Sequence, residues 1–494
     1  MAIVNIRVYS THIKVFPYHL GDCVRLEKML SKYDGVYHTY VPLGYYIDHD
    51  ILYLPRGISL SLLQDFFGAV PTMVPEYDQY VRIKKFNMKY EPRGQIQKDS
   101  IDFLTSQNRF GNGFNRAQYG LNLDTGDGKT FCCISAVSFF KLKTIVITHK
   151  TVLKKQWREE FLSKTDIEDY RIVDIDGSAA IEDIMKGDLK GDIYIVNHQT
   201  LQAYCRINQE EEYSETTEYD WNRVTKLFKK MKIGIKVVDE AHKFFENSLK
   251  IDYFTNVYKS FYLTATFTRN DAKEKRIFKM AYQSMYRFGE ETLNYEEKRK
   301  HIQLVNVMVR SNPIMAAQHS MRTAYGFSSY KYIDYELNNN PDNTLMKAII
   351  SIVNKVSHLE GRILINSPTI ESVEHIATEV EKETGIKVGT IHSKNTKEEN
   401  LEHYQERILS STIKSIGEGD NIEKLRVLIN VEPIGSDGLA DQLRGRLREY
   451  SEDKDTYLFY IIDTSVKITY NYLQRIMPTM KRKCKQINMI RLDV

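Results

Sequence analysis

At 494 residues the chain is too long for one ordinary domain, and a prior of roughly 100–200 residues per domain predicts about three. Hydrophobic residues make up 42% and charged residues 27%, as in globular proteins, and the net charge of +4 excludes a chain that is basic throughout. The N-terminus alternates apolar and polar residues, and the longest uncharged apolar run, FCCISAVSFF, is about half a membrane span. We therefore expect a soluble, cytoplasmic protein that does not contact membranes.

Residues 1–88 predict a small α+β domain. The alternating runs VNIRVYS and DILYLP predict strands, and DCVRLEKMLSKY and SLSLLQDFFG predict helices. The stretch 82–90, RIKKFNMKY, has four basic residues interleaved with Phe86 and Tyr90. Its cations could bind phosphates and its aromatic rings could stack on unpaired bases, although a solvated helix face is an equal alternative. The segment YEPRGQ then predicts a domain boundary.

Two further α/β regions follow, which we place at 89–305 and 306–494. Short β-rich runs alternate with helical segments in both regions, and this alternation predicts parallel sheets covered by helices. The predicted strands are 144–148, 192–196, 235–239 and 261–265 in the first region, and 362–367, 388–393, 426–432 and 456–462 in the second. Residues 207–220 predict a solvated acidic loop, and 301–345, which contain NNNPDN, predict a turn-rich linker.

The basic segment 467–494 predicts either a surface for phosphates or, as an equal alternative, a solvated helix face or a solubilising tail. It holds seven basic residues against the single acid Asp493: Lys467, Arg475, Lys481, Arg482, Lys483, Lys485 and Arg491.

The five cysteines show neither C-x-x-C spacing nor Cys/His ligand spacing. We predict no disulfide and no zinc site. Cys132 and Cys133 lie in an apolar run, where small buried side chains are expected.

The segment LNLDTGDGKT, residues 121–130, predicts a phosphate-binding loop. Gly126 and Gly128 would let the backbone N–H groups approach phosphate oxygens at the start of a helix, with Thr125 and Asp127 completing the loop. Lys129 would reach the β- and γ-phosphates, and Thr130 would offer a hydroxyl to Mg²⁺. Leu123 replaces the first glycine of the usual motif, a small loss because the glycines nearest the lysine make the closest approach.

The segment IKVVDEAH predicts the second half of an ATP site. It is an apolar strand that ends in two carboxylates, about 110 residues after the phosphate loop. Asp239 could hold Mg²⁺, and Glu240 could orient or deprotonate the attacking water. Together the two segments predict ATP binding and hydrolysis.

Five further elements lie along the chain in a recognisable order. THKTVLKKQW and YIVNHQTL, before DEAH, place polar groups beyond strands, and FYLTATFT ends a strand after DEAH. STIKSIGEGDN and DQLRGRLREY come late in the chain. Over about residues 90–465 the chain resembles superfamily 2 helicases. The resemblance implies two RecA-like domains in tandem, with ATP between them, that step along nucleic acid.

The resemblance also implies roles for individual residues. Gln97 would recognise adenine, with Gln95 as a rival, and Gly419 would contact the nucleotide. The coupling of hydrolysis to strand binding would involve His242, Thr264, Thr266 and Gln442. The sequence Q-x-x-G-R is present, but Glu449 stands where the family usually has a second arginine, so the arginine finger is either Arg446 or Arg448.

Strand contacts in such enzymes come largely from backbone N–H groups and small polar side chains at strand ends. These contacts go to phosphates and carry no sequence information. The matching residues are His149, Lys150, Thr151, Asn197, His198, Thr200, Ser367, Ser411 and Thr412. For His149 and His198 a structural role is as well supported as a functional one.

The nucleic acid is expected to be DNA. The SAT and P-T-R-E-L stretches of DEAD-box RNA helicases are absent, whereas THKTVLKKQW is similar to a pattern of DNA translocases. The loop and the front segment DHDILYLPRGISLSLLQDFF resemble UvsW-type helicases of tailed phages. This resemblance implies a helicase that unwinds, branch-migrates or anneals branched DNA in recombination and fork rescue, with residues 1–88 as an accessory DNA-binding domain. We expect the protein to be a monomer. A single-stranded-DNA-binding protein is a possible partner, and the host cytoplasm would be the location.

Three alternatives stay open at this point: a translocase on duplex DNA, an RNA helicase with the same core, and a nucleic-acid-binding module with a vestigial ATPase. The last is disfavoured because Lys129, Asp239, Glu240 and Arg446 are all present.

Overall fold

The computed structural model describes residues 4–34, 38–106, 117–123, 126–207, 218–264, 272–282, 287–289, 300–323, 326–413, 415, 422–451 and 454–493. The chain divides into two compact units, unit 1 at Met1–Tyr295 and unit 2 at Glu296–Val494. Among the helices of these residues, none combines the length and the apolar character that crossing a membrane requires.

Unit 1 begins with a small mixed sheet in the order β5-β6-β2-β1-β7, together with a separate β3-β4 hairpin. The predicted α+β character of this front region is confirmed. Its elements are β1 (Asn5–Val8), β2 (His12–Phe16), α1 (Val24–Met29), β3 (Ser31–Asp34), β4 (Thr39–Pro42), β5 (Tyr46–Asp48), β6 (Ile51–Pro55), α2 (Leu60–Phe67) and β7 (Thr72–Met73). The helix predicted over 22–33 is shorter than expected, because its last residues belong to β3.

The second part of unit 1 is a seven-stranded sheet in the order β10-β11-β9-β12-β13-β8-β14, with every neighbouring pair parallel. Its elements are α3 (Gly94–Thr105), β8 (Gln118–Asn122), α4 (Lys129–Phe140), β9 (Thr144–Thr148), α5 (Thr151–Lys164), a 3₁₀ turn (Asp169–Arg171), β10 (Ile172–Ile175), α6 (Gly177–Lys186), β11 (Ile193–Asn197), α7 (His198–Cys205), α8 (Asn222–Met231), β12 (Ile235–Asp239), α9 (Phe245–Tyr253), β13 (Lys259–Thr264), α10 (Ala272–Ala281) and β14 (Arg287–Gly289). The strands are nearly all-apolar runs because helices cover both faces of a parallel sheet.

Unit 2 repeats this architecture with the order β19-β20-β18-β21-β22-β15-β23, again all parallel. Its elements are β15 (Ile302–Val309), α11 (Met315–Ser320), β16 (Arg322–Thr323), β17 (Gly326–Phe327), α12 (Ser329–Asp334), a π-helical turn (Tyr335–Asn339), α13 (Thr344–Val356), β18 (Arg362–Asn366), α14 (Ile370–Thr384), β19 (Val388–Ile391), α15 (Lys397–His403), β20 (Ile408–Ser411), β21 (Leu425–Asn430), α16 (Asp437–Arg444), β22 (Thr456–Asp463), α17 (Lys467–Lys483) and β23 (Gln486–Arg491). Two RecA-like parallel sheets in tandem, preceded by a small α+β domain, are the fold class that the sequence predicts.

Two predictions about unit 2 are wrong. The stretch 301–345 is not a linker, because its first residues form β15, which pairs with both β22 and β23. Of the alternatives for 467–494, the solubilising tail is wrong, because residues 467–483 form α17, which packs through Leu473 and Ile476, and the chain then returns to the sheet as β23. In both cases the polar residues at the surface concealed an apolar face that the sheet buries.

The front sheet is attached to unit 1 at the amino ends of the parallel strands. The Gln118 amide, at the start of β8, donates to the Thr11 carbonyl oxygen at 3.3 Å and to the Tyr262 hydroxyl at 3.0 Å. The Ser10 hydroxyl donates to the Val257 carbonyl oxygen at 2.8 Å, and the rings of Tyr53 and Phe254 stack at 4.9 Å. The carboxyl ends of the same strands lie at the opposite edge, and they carry the predicted catalytic residues.

Candidate nucleotide and motor site

The predicted site residues of unit 1 gather where its strands end. In an open parallel sheet, ligands bind in the crevice outside the carboxyl ends of the strands. The phosphate loop follows β8, His149 follows β9, and Asn197, Asp239 and Thr264 are the last residues of β11, β12 and β13. Residues separated by up to 140 positions are thus brought to one edge.

The phosphate loop leads directly into α4, as the motif requires. Gly126 and Gly128 have φ values of 96° and 88°, a left-handed conformation that glycine adopts without strain. Gly128 is the N-cap of α4, and Lys129 and Thr130 form its first turn. The Lys129 ammonium donates to the Leu123 carbonyl oxygen at 2.8 Å, so the lysine lies back over the loop that it follows.

The structure places Gln97, and not Gln95, against this loop. The Gln97 side-chain amide donates to the Asp127 carbonyl oxygen at 3.1 Å, and its carbonyl oxygen accepts from the Arg93 backbone N–H at 2.7 Å. The positive φ of Gly128 favours glycine, and a Cβ added there would lie 2.3 Å from the Gln97 amide nitrogen, so a larger residue would displace the Gln97 side chain from the loop. Gln95 points elsewhere and donates to Asp99 at 2.6 Å on the exposed face of α3.

Asp239 is held in place by a tryptophan. The Trp157 indole N–H donates to Asp239 Oδ2 at 2.8 Å, and the Glu240 backbone N–H donates to Oδ1 at 2.9 Å. Burial raises the pKa of the Asp239 carboxyl, while the Trp157 hydrogen bond and the charge of Lys129 lower it. The phosphate-loop lysine therefore acts electrostatically on the first DEAH carboxylate, as a shared ATP site requires.

Glu240 and His242 form the next part of the site. Glu240 has φ of 47°, a conformation that costs a non-glycine residue on the order of 1–3 kcal/mol and is typical of functional positions. The Glu240 carboxylate lies 3.3 Å from His242 Nδ1, and the same nitrogen lies 2.7 Å from the Thr264 hydroxyl oxygen. A chain of contacts thus runs from the second DEAH carboxylate to the end of β13.

The predicted strand-contact residues of unit 1 differ in exposure. Lys150 and Thr151 are exposed, whereas the side chains of His149 and His198 are buried. Burial, and then the charge of His149, lowers the pKa of His198 to about 3, and its ring stacks on Phe244 at 5.3 Å. A buried neutral imidazole is a poor ligand for a phosphate, so this geometry favours a structural role for His198.

Asn197 organises the turn that follows β11. Its side-chain oxygen accepts from the Thr200 backbone N–H at 2.7 Å and from the Thr200 hydroxyl at 2.8 Å, which caps α7. Its amide lies 3.4 Å from the Thr151 hydroxyl, so the ends of β9 and β11 are joined. Thr151 and Thr200 therefore form one polar rim beside the nucleotide edge.

In unit 2 the predicted polar residues also lie at the carboxyl edge, but they bond mainly to one another. The Ser367 N–H donates to the Ser411 carbonyl oxygen at 3.0 Å, and the Ser411 hydroxyl donates to the Ile391 carbonyl oxygen at 2.6 Å. Thr412 accepts from the Ser415 backbone N–H at 3.0 Å. All three predicted residues are buried, so any strand contact here would use backbone groups.

The Q-x-x-G-R element lies on α16 and the turn after it. Gln442 is on the helix and half-buried, and Arg446 and Arg448 follow Gly445 in the turn. Arg446 is half-buried and Arg448 is exposed, and the Arg448 N–H donates to the Arg446 carbonyl oxygen at 3.1 Å. Arg444, by contrast, is buried in an ion pair of 2.8 Å with Asp441 and has a structural role.

Three predicted residues, Thr125, Thr266 and Gly419, lie outside the described residues. Their roles stay predictions. Among the described residues there is no cluster of three or more acids, histidines or cysteines with the geometry of a metal site.

In both segments that we predicted to bind phosphates, 82–90 and 467–494, some of the expected contact residues are not available to a ligand. In 82–90, Phe86 is fully buried against Phe161 and cannot stack on a base, whereas Tyr90 is 58% exposed. In the C-terminal segment, the buried Lys483 donates to Asp441 at 2.7 Å, and Lys485 donates to Asp455 at 2.7 Å. These two lysines neutralise acids of the same unit and are not placed to bind phosphates.

Trp157 is a site residue to which the sequence motif THKTVLKKQW assigned no role. The signal was available, since the residue lies in the LKKQW stretch and is one of only two tryptophans in the chain. The sequence could not show that the Trp157 indole contacts the Asp239 carboxylate, because the two residues are 82 positions apart along the chain.

Comparison with protein families gives two matches. Residues 73–269 match the family described as "Type III restriction enzyme, res subunit", and residues 344–449 match "Helicase conserved C-terminal domain". A protein of Invertebrate iridescent virus 6 named "Putative helicase 161L" is 24% identical over 377 residues, which are 71% of this chain and 74% of that protein.

Solved structures share the fold at low identity. S. cerevisiae Dbp5 bound to RNA and ADP BeF3 aligns over 81% of this chain and 90% of its own, at 13% identity and a TM-score of 0.50. The restriction-modification enzyme LlaBIII bound to DNA aligns over 81% of this chain and 31% of its own, at 15% identity and a TM-score of 0.51. T4 UvsW aligns over 99% of both chains at 15% identity and a TM-score of 0.38.

Proposed function

We propose that this chain, which belongs to the superfamily 2 helicases, uses ATP hydrolysis to unwind and branch-migrate DNA at forks and junctions. The observation that carries the ATP-dependent part is that Lys129, at the start of α4, and the acids Asp239 and Glu240, at the end of β12, lie at the same edge of one sheet. A loop that cradles phosphates and a carboxylate pair beside it are the parts that phosphoryl transfer to water needs.

The residues present fit magnesium-bound ATP as substrate. Mg²⁺ prefers oxygen ligands and is usually bound by one or two carboxylates together with substrate phosphates. Asp239 and the Thr130 hydroxyl are the candidates for that role, and the ion would neutralise charge on the transferring phosphoryl group. Trp157 would keep Asp239 in a single orientation whether or not nucleotide is bound.

Glu240 is the proposed base or orienting group for the attacking water. Its backbone conformation and its 3.3 Å contact with His242 fix the carboxylate next to Asp239. The contact of His242 with Thr264 then links the water-activating group to the end of β13, from which the coupling segment continues. In unit 2 we assign the charge-stabilising arginine to Arg446, which is the better buried of the two candidates.

The choice of DNA rests on the comparisons with known proteins and on the sequence pattern, and not on the geometry of the ATP site. The matched family is named for a restriction enzyme subunit, and the LlaBIII structure contains DNA. The Dbp5 structure contains RNA, and the shared fold does not discriminate between the two polymers. The pattern THKTVLKKQW favours DNA, and the UvsW-type resemblance favours branched DNA.

Steady-state ATPase with different nucleic acids tests the proposal. The assay compares no nucleic acid, single-stranded DNA, duplex DNA, a fork or four-way junction, and single-stranded RNA. Strongest stimulation by the branched DNA is the expected result. Equal stimulation by plain duplex would indicate a duplex translocase and not a helicase. Strongest stimulation by RNA would show that the choice of DNA is wrong, while the proposed ATP site would still stand.

A further inference from the structure

A concave surface in unit 1 is lined by none of the predicted nucleotide-site residues. A cavity of about 500 Å³ separates the front segment 57–62 from helix α10. One wall is the first turn of α2, with Ser59 and Leu62, and the other is the exposed face of α10, with Lys275, Arg276 and Lys279. We call this surface the α2–α10 groove.

The two walls are fixed to each other by a close backbone approach. A Cβ added at Gly57 would lie 2.2 Å from the Ala281 carbonyl oxygen and 2.5 Å from that of Met280. Only glycine allows the front segment to lie so near the end of α10. The groove therefore has a set width, because neither wall can withdraw without breaking this contact.

The groove is strongly basic. Helix α10 has four cations in ten residues and a single acid, Glu274, which is already paired with Lys32 at 2.7 Å. Among the described residues, Lys275, Arg276 and Lys279 are exposed and have neither an ion pair nor a hydrogen bond. None of the residues that line the cavity is acidic, so nothing within it neutralises the three charges.

The opposite wall adds positive potential. The first N–H groups of a helix have no intrahelical acceptor, and the helix dipole places partial positive charge at this end. The Ser59 hydroxyl caps one of these groups, the Leu62 N–H, at 3.4 Å. Cations on one side and a helix N-terminus on the other together favour an anionic ligand.

We propose that the α2–α10 groove binds the phosphodiester backbone of a duplex arm of the DNA on which the motor acts. This inference rests on the proposed function. Lys275 and Lys279 lie one turn apart on the same face of α10, about 6 Å along the helix axis, so each can contact a different phosphate. No aromatic side chain lines the groove, so it offers no surface for stacking unpaired bases, which favours duplex over single-stranded DNA.

The α2–α10 groove gives the front domain a defined part in binding the duplex arm. Because α10 begins only eight residues after Thr264, a duplex arm held here is joined through a short segment to the end of β13. The front domain completes the groove by supplying its second wall. Phosphate contacts fix position without reading sequence, as an enzyme that acts on any branched DNA requires.

The test compares two matched pairs of lysines in the intact chain. Lys275→Gln with Lys279→Gln removes two charges spaced i and i+4 on α10. Lys226→Gln with Lys230→Gln removes the same charge at the same spacing from α8, where both lysines are exposed and without an ion pair among the described residues. Binding of a short labelled duplex is followed by fluorescence anisotropy over a range of salt concentrations.

We expect the α10 pair to weaken duplex binding on the order of tenfold near 0.1 M salt. The slope of log affinity against log salt should fall in magnitude by about 2, because each lost phosphate contact removes about 0.9. ATP hydrolysis without DNA should be unchanged in both variants. Affinity and slope equal to those of the α8 pair would overturn the groove, and an equal loss on single-stranded DNA would overturn its assignment to duplex.

Failure of the groove is distinguishable from failure of the proposed function. If the unaltered chain neither binds nucleic acid nor shows stimulated ATPase, the proposed function is wrong, and so is the assignment of the groove to duplex DNA. If the unaltered chain is stimulated by DNA and the α10 pair behaves like the α8 pair, only the groove is wrong. Arg276→Gln provides a second variant, which should lower the salt slope by about 1 without a change at Gly57 or Ser59.

Discussion

The two parallel sheets have the same strand order, but the residues that we predict to form an ATP site lie at the edge of the unit 1 sheet. The central strand β12 ends in Asp239, and the corresponding strand of unit 2, β21, ends in Asn430. The Asn430 side chain accepts from the Asn366 amide at 2.8 Å and donates to a backbone carbonyl oxygen, so a neutral hydrogen-bonded pair lies where unit 1 has the predicted catalytic carboxylate.

The same contrast holds at the position of the phosphate loop. Strand β8 leads into a glycine loop and a long helix, whereas the corresponding β15 leads into the sequence RSNP and a six-residue helix. The edge acid of unit 2, Asp463, accepts from the backbone N–H groups of Ser311 and Ser465 at 3.3 and 2.9 Å. The same fold thus presents the predicted catalytic groups in unit 1 and internally hydrogen-bonded groups at the corresponding positions of unit 2, and individual side chains make the difference.

The largest expected effect comes from removing the phosphate-loop lysine. Lys129→Ala should lower kcat for ATP hydrolysis by at least about 1000-fold, because the cation that stabilises phosphoryl charge is lost. Steady-state ATPase measures it. The control is Lys155→Ala on α5, an exposed lysine 3.8 Å from Glu159, which should leave kcat within about twofold. Near-normal hydrolysis by the Lys129 variant would remove the contrast between the units.

The second test asks what unit 2 contributes. Arg446→Ala should reduce kcat by about 100- to 1000-fold with fluorescent-nucleotide binding little changed, because an arginine finger acts on the transition state. Arg448→Ala is the matched control, since the two arginines lie two residues apart and Arg448 is the more exposed. The opposite ranking would assign the finger to Arg448, and two unaffected variants would show that unit 2 supplies no arginine.

The third test concerns a buried acid that serves structure alone. Burial, reinforced by the charge of Asp463, raises the pKa of Glu336 to about 7, although hydrogen bonds from Asn340 and Ser311 oppose the shift. The folded state therefore keeps a proton that the unfolded chain loses above about pH 4.3, and stability falls as the pH rises from there through 7. Glu336→Gln should raise the free energy of unfolding by about 3 kcal/mol at pH 8 and by about 1 kcal/mol at pH 5.

Urea unfolding midpoints at the two pH values measure this difference. The exposed Glu383→Gln in the same unit serves as the control and should show no pH-dependent gain. An equal gain at both pH values for the Glu336 variant would mean that the buried carboxyl is not protonated near neutrality.

The smallest expected effect concerns the support of Asp239. Trp157→Phe removes the indole N–H donor while keeping a large apolar side chain. We expect about a tenfold higher Mg²⁺ concentration for half-maximal ATPase, because groups that orient a metal ligand typically change affinity by about 10- to 100-fold. The Mg²⁺ dependence of fluorescent-nucleotide binding gives a readout that is independent of turnover.

The other tryptophan of the chain, Trp221, offers the control for this experiment. It is buried just before α8, where its ring stacks on Tyr219, and Trp221→Phe should leave the Mg²⁺ requirement unchanged. Equal shifts in both variants would indicate general destabilisation of unit 1 and would contradict a positioning role for Trp157.

The sequence predicted the parts of the fold that depend on local pattern. Apolar runs such as TIVIT and IKVVD are strands because a parallel sheet covered on both faces needs continuous apolar segments. The glycines of the phosphate loop are readable because they are needed where φ is positive. The failures at 301–345 and 467–494 have one cause, since β15 and β23 are paired across more than 150 positions and no local signal shows such pairing.

For the candidate site, the sequence by itself identified the chemical groups: Lys129, Asp239 and Glu240 belong to short motifs whose spacing is visible along the chain. Only the tertiary structure shows that Gln97, and not Gln95, contacts the phosphate loop and that the Trp157 indole contacts Asp239. It also shows that the side chains of Phe86, His198 and Lys483 are buried. The physical reason is that burial and hydrogen bonding between distant residues are decided by how sheets and helices pack. A motif specifies which groups are present, and packing specifies which of them meet and which remain exposed to a ligand.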